Sequence, residues 1–400
     1  MDKLLSVPDA LARVLAGASR LGEELTPLAR ARGRTLAADL AARRSQPPVA
    51  VSAMDGFALR AADLVAGPLR IVGESAAGHS YGAALRAGEA IRIFTGAPVP
   101  EGADAILLQE DAVVADGALT AGAPPGPHIR GAGLDFREGA VALAAGVRLG
   151  PAELALAAAM NHAAIPVARR PRVAIIASGD ELVPPGAEPG PSQIISCNNL
   201  AVAAIAEDAG AEVIDLGIFR DDLAALERGI GLAREARADV LVTLGGASVG
   251  DRDLLRPALA RQGMSLDFWK IAMRPGKPLI YGALGEARIL GLPGNPVASF
   301  VCALVFLAPL LRALQGDPDA GADRTETAVA GADLPANKGR RDYMRARLAV
   351  DENGRTVATP QPLQDSSLLT ELAQSQALLI REPGAPPLTN GDPCRILRLP

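Results

Sequence analysis

From Arg172 onward one pattern recurs: a short Val/Ile/Leu run, a Gly-rich or acidic turn, then a stretch with helical spacing. The runs at 173–177, 212–217, 239–244 and 266–272 read as strands, with helices expected near 198–209, 222–237 and 253–262. Parallel strands need crossover helices that cover both faces of the sheet, so this alternation points to a doubly wound α/β unit and away from a sandwich or a bundle. Gly210 and Gly263 follow two of the helices as caps. The third run continues as D-V-L-V-T-L-G-G-A-S-V-G-D-R-D over 239–253. Gly245, Gly246 and Gly250 let a backbone turn closely around an anion, Ser248 offers a hydroxyl, and the next helix offers unpaired N–H groups. The same residues also suit a plain strand-to-helix turn whose glycines serve only geometry, and the loop alone does not decide between the two.

In an open α/β sheet, ligands lie outside the carboxyl ends of the strands, so the four following loops form one set. They read S-G-D-E-L at 178–182, F-R-D-D at 219–222, the Gly loop with Asp251 and Asp253, and R-P-G-K-P at 274–278. A single acidic loop is ordinarily a solvated helix cap. Several carboxylates gathered beside Lys270, Arg274 and Lys277 suit a phosphorylated substrate with a divalent cation: acids hold Mg²⁺, while cations and backbone N–H groups hold the oxyanions. Two prolines and a glycine fix where Lys277 points. Lys270, read as lying in an apolar strand after Trp269, calls for an anionic ligand or a buried carboxylate.

A length of 400 residues exceeds what one core organises, so several modules are expected, and 49% hydrophobic content suffices for each. With aromatics at 3%, those cores must be packed aliphatic layers. Scaffold helices are expected over 8–20 and 27–42, and another over 151–164. Short β pieces at 69–73, 90–95, 105–109 and 112–114 make a small β-rich module ending at G-A-P-P-G-P-H, 122–128. After strands at 278–281 and 288–292, L-P-G-N-P leads into an apolar helix that ends by Gly316. The linker G-D-P-D-A-G-A-D at 316–323 precedes β segments at 343–350 and 394–399. The expected architecture is therefore α/β plus β and multidomain. Helical scaffold segments occupy 1–45 and 129–169, an inserted β-rich domain 46–128, the α/β domain 170–316 and a C-terminal β-barrel-like domain 317–400.

The apolar run 297–311 contains Ser299 and Pro309 and falls short of a membrane span, so it reads as a buried helix. M-D-K-L-L-S-V-P-D-A lacks the basic flank of a signal peptide, and Cys197, Cys302 and Cys394 suggest neither a disulfide framework nor a zinc site. A cytoplasmic protein is expected, with no membrane partner. The net charge of −5 argues against nucleic acid as a partner.

Six blocks carry a resemblance over nearly the whole chain: S-A-M-D-G-F-A at 52–58, I-F-T-G-A-P-V-P-E-G-A-D-A at 93–105, S-G-D-E-L, G-G-A-S-V-G at 245–250, R-P-G-K-P and G-L-P-G-N-P-V at 291–297. In order and spacing the chain resembles the molybdopterin molybdenumtransferases of the MoeA type, a family that includes the E domain of gephyrin. The resemblance implies that adenylylated molybdopterin, made by a partner adenylyltransferase, is taken up with molybdate. Its phosphoanhydride is cleaved with Mg²⁺, giving molybdenum cofactor and AMP, and molybdenum-enzyme maturation factors receive the product. It further implies a homodimer, formed through the helical scaffold, in which the M-D-G and T-G-A loops of one subunit complete the cleft of the other.

By position the resemblance places Asp55, Thr95, Asp135, Glu181, Asp221, Asp253, Lys270, Arg274 and Ser366 in the active-site cleft, joined by Lys277. Asp55, Asp135, Glu181, Asp221 and Asp253 are the expected metal-binding acids. Gly245, Gly246, Ser248, Gly250, Pro293, Pro296 and Ser366 are expected around the pterin. Ser366 and its neighbour Ser367 are both plausible N-caps. Phe57 stands where relatives often have Tyr, Ser196-Cys197-Asn198 replaces a commoner Asp-Ser/Thr-Asn, and Arg274, where some have Lys, adds a bidentate grip. Two other readings share parts of the pattern. Adenylylation of molybdopterin, as in MogA-like relatives, would use the α/β domain alone, and a receptor-clustering scaffold would resemble gephyrin.

Overall fold

In the computed structural model, which describes residues 4–246 and 254–400, the expected alternation builds a six-stranded sheet. Its order is Glu212–Phe219, Arg172–Ser178, Val240–Leu244, Ala287–Leu292, Ile280–Leu284, Ser265–Trp269. The first four strands are parallel, Ile280–Leu284 runs against them, and Ser265–Trp269, antiparallel to it, runs with them again. Side chains along a strand alternate between faces. Ala174 and Ile176 therefore meet Leu226, Ile230, Leu255 and Leu259 of the helices Leu223–Glu235 and Leu255–Arg261. Val173, Ile175 and Ala177 face Val202 and Ile205 of the helix Asn198–Asp208 and the apolar helix after Pro296. Burying each such aliphatic side chain contributes roughly 1.5–3 kcal/mol, which makes this two-sided core the main stabilising element of its domain.

The apolar helix runs Pro296–Cys302, a π-helical turn Ala303–Leu307, then Ala308–Leu314. The wide turn directly precedes Pro309, whose ring cannot fit a regular helical repeat. By length and composition this helix is able to cross a membrane, yet 67% of its apolar window is buried inside the chain, as a core helix should be. The helix Val7–Ala16, capped by Ser6 accepting from the Asp9 amide at 3.2 Å, buries Val7, Ala10 and Val14 in the same core. The Tyr281 hydroxyl donates to the Val14 carbonyl at 3.0 Å.

Two expected elements differ. Residues 27–42 are not a helix: only a 3₁₀ turn, Leu28–Arg30, forms before Gly33 turns the chain with φ +73°, and Leu40–Ala41 is a short strand. The strand expected over 266–272 ends at Trp269, because Lys270 takes φ +75°. Met273–Arg274 then leaves the sheet and pairs with Arg341 and Asp342.

The C-terminal strands close into a barrel. Arg341–Val350 pairs with both Thr356–Pro360 and Ala377–Arg381, and Glu326–Ala330 and Pro393–Arg398 complete the ring. Its narrow interior is filled mostly by small side chains, Ala328, Ala330, Ala346, Ala358 and Ala377, with Leu379 and Ile396. These elements belong to one compact unit, Met1–Glu24, Gly33–Thr35 and Ala168–Pro400; the other is Leu25–Arg32 with Leu36–Val167.

The second unit holds a six-stranded sheet in the order Ala105–Leu108, Gly56–Leu59, Glu89–Ile93, Leu69–Ser75, Ala118–Ala121, Ala112–Ala115. It also holds the helix Pro151–Ala159, whose Ala157 packs in a cluster with Leu36, Leu40 and Ile165. Gly56 is required where the M-D-G turn enters the sheet, since a Cβ there would lie 2.0 Å from the Leu107 carbonyl oxygen.

Candidate active site

The strand order reverses beside Arg172–Ser178: the chain goes first to Glu212–Phe219 on one side, then crosses to Val240–Leu244 on the other. Two loops diverge there, and a cleft of about 930 Å³ opens at the carboxyl ends of the strands. Its sheet-side wall includes Ser178, Glu181, Asp221, Gly245 and Gly246, and the opposite wall brings Arg274, Lys277, Arg340 and Ser366.

Gly245 and Gly246 sit at φ +90° and +63°. A Cβ would lie 2.7 Å from the Ser178 carbonyl oxygen at the first and 2.8 Å from the Leu255 Cβ at the second. Both glycines thus have a geometric reason to be there, and the absence of side chains leaves backbone at the cleft wall. Ser248, Gly250 and Asp253 lie outside the described residues.

The acidic wall is electrostatically strained. The Asp221 carboxyl is pushed above its usual range, first by partial desolvation and then by the neighbouring Glu181 and Asp180 carboxylates; the Ser178 hydroxyl and Asp180 amide act in the opposite sense. Asp222 has a different task, capping the helix Leu223–Glu235 by accepting from the Ala225 amide at 2.8 Å. Hard oxygen donors that repel one another are a fitting donor set for Mg²⁺. Among the described residues, however, no group of three or more His, Cys, Asp or Glu side chains is placed to hold a metal ion. Of the five expected metal acids, the structure brings Glu181 and Asp221 together.

On the cationic wall, Arg274 donates to Asp342, whose side chain is 4% exposed, and keeps half of its own surface open to the cleft. Gly276, at φ +107°, lies so close to the buried Cys302 that a Cβ would come within 2.5 Å of Sγ; this packing fixes the loop that carries the exposed Lys277. Lys270 is absent from the cleft wall. Its ammonium sits 3.8 Å from the centre of the Trp269 ring, with the Arg256 guanidinium 4.0 Å from the same ring. The expected anionic partner is thus replaced by an aromatic face, because the chain turns at Lys270 and frees its side chain from the strand.

The L-P-G-N-P loop joins the barrel. Asn198 donates to the Gly294 carbonyl at 2.6 Å, Asn295 donates to Ser366 Oγ at 2.9 Å, and the Val297 amide donates to the Ser366 carbonyl at 3.0 Å. Ser367 instead bonds Asp365 through its amide and hydroxyl. Pro293 and Pro296 also line the cleft. Beneath Ser366, buried Arg345 donates to the carbonyls of Asp365 and Leu363 at 2.7 and 2.8 Å. Sequence reasoning missed Arg340 and Arg345, which lie in G-R-R-D-Y-M-R, a stretch outside the strand-end loops of the α/β sheet. Asn295 lay inside a quoted block without being singled out. In S-C-N, the Ser196 hydroxyl donates to Asn199 at 3.3 Å, burial raises the Cys197 thiol, and the Asn198 side chain makes the bond to the L-P-G-N-P loop.

In the second unit, exposed Asp55 accepts from both the amide and the hydroxyl of Thr95, at 2.7 and 2.8 Å. These two bonds hold its carboxyl below the usual range. Asp135 is exposed, its amide donating to the Gln46 carbonyl at 2.9 Å.

Comparison with known proteins gives three consecutive family matches. Residues 5–161 match the "MoeA N-terminal region (domain I and II)", 174–313 the "Probable molybdopterin binding domain" and 327–399 the "MoeA C-terminal region (domain IV)". The molybdopterin molybdenumtransferase of Haemophilus influenzae is 35% identical over 363 residues, covering 90% of this chain and 89% of that protein. Molybdopterin molybdenumtransferase 2 of Mycobacterium tuberculosis is 37% identical over 382 residues, covering 92% and 93%. The crystal structure of a molybdopterin biosynthesis MoeA protein from Pyrococcus horikoshii superposes with a TM-score of 0.83 at 29% identity, covering 99% of each chain. With a cleft where the sheet order switches, and with similarity running from the first helix to the last barrel strand, the chain belongs to the molybdopterin molybdenumtransferase family.

Proposed function

We propose that this protein inserts molybdenum from molybdate into adenylylated molybdopterin, cleaving the phosphoanhydride to release AMP and molybdenum cofactor. The observation that carries this reading is the pairing, in one cleft, of a carboxylate wall, Glu181 and Asp221, with a cationic wall, Arg274, Lys277 and Arg340. Arg274 and Lys277 hold phosphate or molybdate oxygens, and the backbone at Gly245 and Gly246 admits the pterin phosphate closely. Glu181 and Asp221, with Asp253, would hold Mg²⁺, and the ion would supply positive charge against the phosphoanhydride. Asn295 and Ser366 fix the far side of the pocket. The contribution of barrel residues favours this reaction over adenylylation by an α/β domain alone.

The protein acts in the cytoplasm as a homodimer, and Asp55 and Thr95 of a second copy complete the cleft. The exposed, ionised Asp55 with its Thr95 bonds supports that assignment. The substrate comes from a molybdopterin adenylyltransferase, and the product passes to maturation factors of molybdenum enzymes. Lys277→Ala and Asp55→Ala should each lower the rate of AMP release by about 10²-fold, the order expected for losing one preorganised charged contact. Full release by both variants, in a quench assay on adenylylated molybdopterin with Mg²⁺ and molybdate, would refute the site.

A further inference from the structure

We propose that Arg92 is a positioning residue that clamps the M-D-G and T-G-A loops together and thereby fixes how Asp55 and Thr95 are presented. Arg92 lies on the strand Glu89–Ile93, directly opposite Phe57 of the strand Gly56–Leu59. Side chains at alternate strand positions share a face, which places Phe94 on the same side as Arg92. The guanidinium centre lies 5.1 Å from the Phe57 ring centre and 4.9 Å from that of Phe94. One arm donates to the Gly56 carbonyl at 3.1 Å and the other to the side-chain oxygen of Gln109.

Each of these partners adjoins the Asp55–Thr95 pair. Gly56 follows Asp55, Phe94 precedes Thr95, and the Gln109 amide donates to the Asp55 carbonyl at 3.1 Å. One planar cation therefore ties together three chain segments that meet at the pair. Among the described residues Arg92 makes no ion pair, and its charge is the smallest of the influences on the Asp55 carboxyl, so packing and hydrogen-bond geometry account for its placement. A lysine has no flat fork to fill both arms while its charge rests against two rings. Phe57, which lacks the hydroxyl of a Tyr, supplies its ring face to this arrangement.

The inference rests on the reading that Asp55 acts in AMP release, and the test separates the two. Arg92→Met, Arg92→Lys and Arg92→Ala are compared with the wild-type full-length protein for AMP release from adenylylated molybdopterin. Misplacing a reacting group by about 1 Å can cost on the order of 10²-fold, so Arg92→Met should lose about ten- to a hundredfold in kcat with KM nearly unchanged. Arg92→Lys should recover little of this, and millimolar guanidinium should partly restore Arg92→Ala. Wild-type kcat in Arg92→Met, a loss confined to KM, or full activity in Arg92→Lys would each overturn the clamp. If wild-type protein releases no AMP, the functional reading fails, and the clamp is judged by hydrogen exchange at the Thr95 amide. That exchange should be at least about tenfold faster in Arg92→Met, since loosening the loops frees the amide from Asp55; an unchanged rate would overturn it.

Discussion

Asp55 and Asp221 are carboxylates displaced in opposite directions, and the sign of each displacement has a consequence. Asp55 is held low by the Thr95 amide first and the Thr95 hydroxyl second. Its pairing stabilises the fold above the ordinary carboxylate pKa, and that contribution is lost as pH falls through the depressed native value. Thr95→Val removes the hydroxyl and keeps the amide, so the Asp55 pKa should rise part of the way toward normal in a carboxyl-carbon NMR titration. An unchanged value would mean that the hydroxyl bond does not form. Asp221 is held high, chiefly by partial desolvation, so the native state binds the extra proton and stability declines as pH rises from the ordinary value through the raised one. Asp221→Asn should therefore unfold at a higher temperature than wild type at neutral pH while binding Mg²⁺ more weakly, a stability gain bought with function. A lower unfolding temperature would show the carboxylate to be structural. At this scale the sequence disclosed residue types better than partners. Lys270 looked like a buried charge because its neighbours are apolar, but a single left-handed residue turned it onto the Trp269 ring.

At the scale of elements, the α/β domain was the most legible part. A buried parallel strand must be apolar on both faces, and a crossover helix must follow it, so the runs around 173–177 and 239–244 could be little else. The barrel was harder to read: its strands carry Ala at positions 328, 330, 346, 358 and 377, where the curved interior has no room for larger side chains, and such residues carry no β signature. The stretch 27–42 misled because its apolar spacing suits a helix, while Gly33 at positive φ forbids one. The Gly loop was ambiguous between anion cradle and tight turn, and the geometry at Gly245 accounts for the turn. Gly245→Ala forces an L side chain to φ +90° and into the Ser178 carbonyl, so it should destabilise the α/β domain by about 1–3 kcal/mol in urea unfolding. A neutral substitution that still abolished AMP release would leave the cradle as its only role.

For the molecule as a whole, the cleft was legible as a set of loops at strand ends, because sheet topology dictates where they gather. Its second wall was legible only in part: Arg274, Lys277 and Ser366 were expected there, whereas Arg340 was not. Arg340 and the Arg345 brace under Ser366 come from a barrel whose docking depends on Met273–Arg274 pairing with Arg341–Asp342, a register that no local pattern encodes. The family's six blocks, by contrast, were visible in order along the chain, and the similarity to relatives across 90% or more of the sequence agrees with them. The most direct measurement is a single-turnover assay in which the purified protein receives adenylylated molybdopterin, Mg²⁺ and molybdate, with AMP and pterin-bound molybdenum quantified together. AMP and bound molybdenum should appear in equal amounts, and AMP release should require the cleft residues Asp221 and Lys277. AMP release without molybdenum capture, or formation of the adenylylated pterin from ATP, would contradict the proposed function.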